Sequence, residues 1–379
     1  MAKSRKTTSK ATKAPVRRVN LHWPSVRRWR QAIVGLLALL ILFTGFNYGL
    51  SAWYSQRYKN EPLIIGTTFI APYARHFGLD PKQTLQAMID EVGFRQFRLV
   101  SYWDEIEKTP GVYDFTDLDW QFRQIEAADG KVSLAIGLRQ PRWPECHMPD
   151  WAATQPMTEW EPQLNVFMKT VMERYKGSPA LESYQLENEF FLDVFGICPD
   201  HSRERLVREY NFVRAVDTTK PIIITRSNNA LGYPLGQPRP DEFGVSVYKR
   251  VWDKSITKRY FEYPLPPWFY GSLAGGGEIL TGKKLIIHEL QMEAWLPDTG
   301  QFMMNDLASI PEQNKSMNPE RLKDRFKYGK ASGIKTIYTW GAEWWYWRKV
   351  TANDPGMWNV AKDQVSQAAE ENRRLKEPN

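Results

Sequence analysis

Tyr184-Gln-Leu-Glu-Asn-Glu189 and Lys284-Leu-Ile-Ile-His-Glu289 are short apolar runs, each closed by a glutamate and followed by irregular, aromatic-rich sequence. Six further runs share their character: Leu63–Phe69, Phe97–Ser101, Val132–Leu138, Pro221–Arg226, Phe243–Tyr248 and Thr336–Trp340. Apolar runs of this length, bounded by turn residues, read as strands covered on both faces. The first and last begin at positions 63 and 336, so the seven steps average about 39 residues each. Segments with helical spacing fill the intervals. Pro81–Val92 opens behind Asp80 with proline at its first position and ends at Gly93. Asp117–Ala128, Glu159–Tyr175, Ser202–Val216, Pro319–Ala331 and Val360–Leu375 complete the set. The sixth connection, Lys249–Lys283, departs from this pattern. With Pro264, Pro266, Pro267 and Gly275-Gly276-Gly277, it is expected to be a long loop or excursion. Eight strand–helix units predict an α/β chain closed as a (β/α)8 TIM barrel over 63–379.

The formal charge of +8 is unevenly spread. Residues 1–53 hold ten of the 51 Lys and Arg and no acid, leaving 41 basic against 43 acidic residues from Tyr54 onward. The folded region is nearly neutral, which argues against a nucleic-acid partner. Ala32–Leu50 is apolar except for Thr44 and Asn47, and about 20 such residues suffice to cross a bilayer as a helix. Trp29 and Arg30 flank one end, and Trp53, Tyr54 and Arg57 the other. The expected layout is a basic cytoplasmic tail (1–31), one transmembrane helix (32–53), a linker (54–62) and an extracytoplasmic barrel (63–379). A cleaved signal peptide is the rival reading. The long basic region and the poor small-x-small sites near Ser51 and Ala52 favour a retained signal-anchor. Two cysteines, Cys146 and Cys198, fall after consecutive predicted strands; in an exported domain they are candidates for a disulfide, two unpaired core residues being the alternative.

Barrels of this type carry their chemistry at the strand C-termini. Those positions hold Arg98, Trp103, Arg139, Trp143, Asn188, Glu189, Arg226, Tyr248, Glu289 and Trp340. Glycoside cleavage needs one protonated acid over the leaving oxygen and one carboxylate at the anomeric carbon. Flat aromatics suit sugar rings, and Arg and Asn donors suit hydroxyls. Glu187 competes with Glu189 but is expected deeper on the same strand face. Glu293 competes with Glu289, which is preferred because it ends the apolar run. Five scattered histidines offer no metal-ligand spacing, so no cofactor is expected and His288 reads as a supporting hydrogen-bonder.

The stretch Arg98-Leu-Val-Ser-Tyr-Trp103-Asp-Glu-Ile-Glu107-Lys-Thr-Pro-Gly111-Val-Tyr-Asp-Phe115-Thr-Asp-Leu-Asp119 resembles the second-strand region of clan A glycoside hydrolases of the family 5 and family 42 kind. Asn188-Glu189 is similar to the clan's fourth-strand Asn-Glu, which implies that Glu189 is the acid/base. Val245-Ser-Val-Tyr248 is similar to its sixth-strand tyrosine. His288-Glu289 falls on the seventh strand, where the clan keeps its nucleophile, and Trp340 matches the floor of the sugar site. The resemblance spans Leu63–Trp347 and departs at the long sixth connection. It implies a retaining hydrolase of β-linked glycans; the anchor topology adds action outside the cell, and the strand-end positions together with the resemblance put Arg98, Trp103, Arg139, Trp143, Asn188, Tyr248 and Trp340 at the substrate. A transglycosylase, or a surface carbohydrate-binding protein on a non-catalytic barrel, is the alternative.

Overall fold

The computed structural model describes residues 26–191, 196, 198–227 and 233–377; most of the basic tail expected over 1–31 lies outside them. Each of the eight apolar runs forms a strand: β1 (Ile64–Thr68), β2 (Gln96–Val100), β3 (Lys131–Ile136), β4 (Leu181–Leu186), β5 (Ile222–Ser227) and β6 (Glu242–Val247) come first. Two outlying strands, β7 (Arg250–Asp253) and β8 (Arg259–Glu262), then pair antiparallel. After them β9 (Lys284–Gln291) and β10 (Thr336–Trp340) complete the barrel. Barrel neighbours pair in parallel, and β10 returns to β1 to close the ring. All six residues of β5 are buried, as expected where one face fills the barrel and the other lies beneath helices. The chain is a (β/α)8 barrel.

The helices include α1 (Val26–Arg57), α2 (Ala71–His76), α3 (Pro81–Ala87), α4 (Thr116–Ala127), α5 (Met157–Tyr175), α6 (Arg203–Val216), α7 (Pro267–Thr281), α8 (Pro319–Ala331), α9 (Ala342–Val350) and α10 (Gly356–Arg374). Their starts follow from local chemistry. Asp80, Ser202 and Asn318 accept the backbone N–H three residues on, capping α3, α6 and α8. A single π turn over Met88–Val92 extends α3 to Gly93, whose φ of 90° stops it.

The chain divides into two compact units, Met1–Phe46 and Asn47–Asn379. In the first, α1 exposes an apolar surface that includes Leu36, Leu40 and Phe43; the helix over Trp29–Arg57 is long and apolar enough to cross a membrane. In the second, α1 continues as far as Arg57, through the first four residues of the segment expected as a linker. Ser51, Tyr54 and Tyr58 are buried, and Glu278 on α7 accepts from Arg57 Nε at 2.9 Å and from the Tyr58 hydroxyl at 2.7 Å.

The sixth connection corrects the expectation of a loop. It is a hairpin followed by the 15-residue helix α7, and the glycine run lies inside that helix. Glycine in a helix costs roughly 1 kcal/mol against alanine, and packing explains why it is retained. A Cβ on Gly275 would stand 2.9 Å from the Leu50 carbonyl oxygen, and one on Gly277 would enter the Tyr233 ring.

Candidate active site

The C-terminal strand ends surround a cavity of about 610 Å³, within the range of small-molecule sites. Glu189, Tyr248, Glu289 and Trp340 line it from four strand ends. Glu289 lies within β9, which runs two residues beyond the expected end to Gln291. Pairing with β6 slips between Val245↔Ile287 and Ser246↔Glu289, the mark of a bulge, and bulges beside active sites re-aim side chains. The Glu289 carboxylate accepts from Arg98 Nη2 at 2.5 Å and from the Tyr248 hydroxyl. Arg98 is itself held by Nε donating to Thr68 Oγ1 at 2.8 Å.

Glu189 reaches the cavity differently. β4 ends at Leu186, and the next turn places Glu187 and Glu189 in the left-handed region, with φ of 57° and 44°. Such strain is tolerated where the surroundings over-determine it; here the Glu189 N–H donates to Thr225 Oγ1 at 2.9 Å. The residue is 3% exposed. Burial first, and the Glu289 charge second, push its pKa up from 4.5 to about 7. Glu187 does not sit deeper on the same face, because the turn swings it away. It accepts from the backbone N–H of Leu138 at 2.6 Å and of Arg139 at 3.0 Å, and Arg205 lies 3.3 Å away.

Other expected site residues divide. Trp143 lines the cavity and is 70% exposed. Trp103 does not reach it: fully buried, it packs on Trp151 and Phe167 and donates to Glu107 at 2.6 Å. Arg139 is also fully buried and acts one layer back, pairing with Glu145 at 3.0 Å. Asn188 is 1% exposed, its side-chain oxygen held by Gln185 Nε2 at 2.9 Å. His288 lies beneath the site, 3.2 Å from Ser133 Oγ, and burial pushes its pKa down. Cys146 and Cys198 form a disulfide with Cα atoms 5.4 Å apart, tying the loop after β3 to the loop after β4. Among the described residues no group of three or more His, Cys, Asp or Glu side chains is placed to hold a metal.

Residues beyond those expected also line the cavity. Glu145 precedes the disulfide; burial and the Glu189 charge hold its carboxyl well above the usual range, against the pull of Arg139. Arg142 and Glu293 meet at 3.1 Å. Val251, Trp252 and Phe261 of the β7–β8 hairpin form one wall. Proximity to a predicted strand end was the available signal for Arg142, Glu145 and Glu293. The hairpin had none beyond an irregular composition.

No protein-family model matches the sequence, and no curated protein matches it. Solved structures do share the fold. The β-galactosidase from Halorubrum lacusprofundi is 10% identical with a TM-score of 0.50, over 81% of this chain and 58% of its own. The exo-β-1,4-mannosidase from Opitutaceae bacterium strain TAV5 is 14% identical at 0.54, over 84% of this chain and 61% of its own. Xylanase 10B from Thermotoga maritima is 16% identical at 0.50, over 83% and 98%. This chain thus spans less than two thirds of the first two, and at these identities the likeness is one of fold.

Proposed function

We propose that the protein is a retaining glycoside hydrolase for β-linked glycans, held by its N-terminal helix with the barrel outside the cell. The observation that carries this is the unequal treatment of two carboxyls in one cavity. Glu189 is buried with its pKa raised to about 7, suited to hold a proton. Glu289 is gripped by Arg98 and Tyr248, suited to remain an oriented anion. Two carboxyls whose environments differ in this way divide the acid and nucleophile roles between them. Fold neighbours named for β-galactoside, β-mannoside and xylan cleavage support the substrate class. The one-sided charge around an apolar span supports the anchor, and a disulfide suits an oxidising compartment.

In the first step a Glu289 oxygen attacks the anomeric carbon as the bond to the leaving oxygen breaks, and Glu189 gives its proton to that oxygen. Esterification removes the Glu289 charge, the second cause of the raised Glu189 pKa after burial, and Glu189 has already given up its proton. Glu189 is then a carboxylate able to take a proton from water, whose oxygen attacks the anomeric carbon and releases Glu289. The test is covalent capture: full-length protein in detergent, treated with 2,4-dinitrophenyl 2-deoxy-2-fluoro-β-glycosides, should gain one glycosyl group on Glu289. Hydrolysis without capture, and with inverted product configuration, would refute the retaining mechanism.

A further inference from the structure

Arg142 and Glu293 take no part in those two steps, yet both line the cavity. We propose that together they read a pair of neighbouring hydroxyls on the glycone, which makes them specificity-determining residues for a neutral sugar; this rests on the glycosidase reading above.

The backbone gives the first reason. Arg142 has a φ of 87°, a conformation that L-residues rarely adopt and that costs on the order of 1–3 kcal/mol unless the surroundings impose it. Those surroundings are specific. The guanidinium carbon stands 3.2 Å from the Tyr73 ring centroid and 4.4 Å from that of Trp340, so aromatic rings fix its place. Nη2 donates to Glu293 Oε2 at 3.1 Å, and the Tyr73 hydroxyl donates to Glu293 Oε1 at 2.6 Å. Glu293 in turn needs Gly341, where a Cβ would lie 2.5 Å from its own. Segments after β1, β3, β9 and β10 thus converge on one guanidinium–carboxylate pair.

The pair is held but not saturated. The Arg142 side chain is 19% exposed where it lines the cavity, so its guanidinium keeps surface for a ligand, while Nε is buried with no hydrogen-bond partner among the described residues. Each Glu293 oxygen accepts one protein hydrogen bond and retains capacity for another. A donor and an acceptor side by side match adjacent sugar hydroxyls, each of which both donates and accepts. The opposite charges largely cancel. A uronate would meet Glu293 and an amino sugar would meet Arg142, so the pair favours a neutral glycone. Its place in the site follows from Trp340, whose ring also lies 5.4 Å from Arg98, the residue gripping Glu289. The pair therefore shares an aromatic with the nucleophile's support, on the glycone side of the bond to be cut.

The experiment uses full-length protein in detergent and 2,4-dinitrophenyl β-glucoside, β-galactoside, β-mannoside and β-xyloside, followed by monodeoxy analogues of whichever is accepted. In the wild type, removing a recognised hydroxyl should lower kcat/KM about 10- to 100-fold, the range for a hydrogen bond to a charged group. Arg142→Met or Glu293→Gln should shrink that penalty to about twofold or less. A merely structural role would slow parent and deoxy substrates alike and leave the ratio intact, which would overturn the proposal, as would preference for a uronide or an amino sugar. Glu293→Gln is nearly isosteric and reports even if Arg142→Met misfolds. If no glycoside labels Glu289, calorimetric binding of the same glycosides separates the two ideas. A deoxy penalty in affinity that Glu293→Gln erases keeps the hydroxyl reader while the hydrolase reading falls. No deoxy penalty in either variant or wild type sinks the reader itself.

Discussion

Glu189→Gln tests the electrostatic account of the site without a substrate. In the folded protein the Glu189 pKa is raised from 4.5 to about 7, chiefly by burial. A raised carboxyl favours folding while it is protonated, and that contribution is lost as pH climbs through the folded pKa. Above about pH 7 the wild type must either bury a charge or release it. A displacement of roughly 2.5 units at about 1.4 kcal/mol per unit sets the cost near 3 kcal/mol. Gln is an uncharged near-isostere, so the variant avoids this cost. For a barrel unit of roughly 330 residues the unfolding entropy is about 0.7 kcal/mol/K, which converts the cost into a rise in Tm of about 4 °C. Thermal scans from pH 4 to 8.5 should show variant and wild type together at pH 4 and diverging above about pH 5, with the variant higher. Equal Tm values at pH 8.5, or the same gain at pH 4, would mean that Glu189 is not held protonated by its surroundings. In the wild type kcat/KM should fall on the alkaline side of about pH 7, as the acid loses its proton.

Tyr248→Phe removes one of the two donors to Glu289 among the described residues; kcat/KM for an activated aryl glycoside should drop about tenfold or more in initial-rate assays. Replacing Cys146 and Cys198 by serine opens a link across 52 positions; stability should fall by about 2–4 kcal/mol in denaturant titrations run without reductant. Gly275→Val drives a branched side chain into the Leu50 carbonyl and Tyr54; calorimetry of the full chain should show a loss of about 1–3 kcal/mol or more, whereas Gly282→Asn, in open space at a φ of 69°, should change it little.

The sequence by itself determined the barrel. Strand formation over runs such as Phe243–Tyr248 depends on local apolar, β-branched composition, and helix starts at Asp80 and Ser202 depend on a cap three residues from its partner. Both signals are short-range, and their repetition about every 39 residues leaves few ways to bury eight strands on both faces. The pairing of Glu189 with Glu289 across one cavity was legible for the same reason, since all strand ends of a closed parallel barrel share one rim. What only the tertiary structure decided depends on contacts distant in sequence. Glu187 leaves its expected face because the backbone turns left-handed there and two N–H groups from the loop after β3 receive its carboxylate. Trp103 belongs to the core because Trp151 and Phe167 close over it. The glycines of α7 are helical because the end of α1 and Tyr233 pack against them. The Arg142–Glu293 station draws on segments between positions 73 and 341. Local composition sets which elements form, but the direction of each polar side chain at the rim is set by neighbours that only folding brings together.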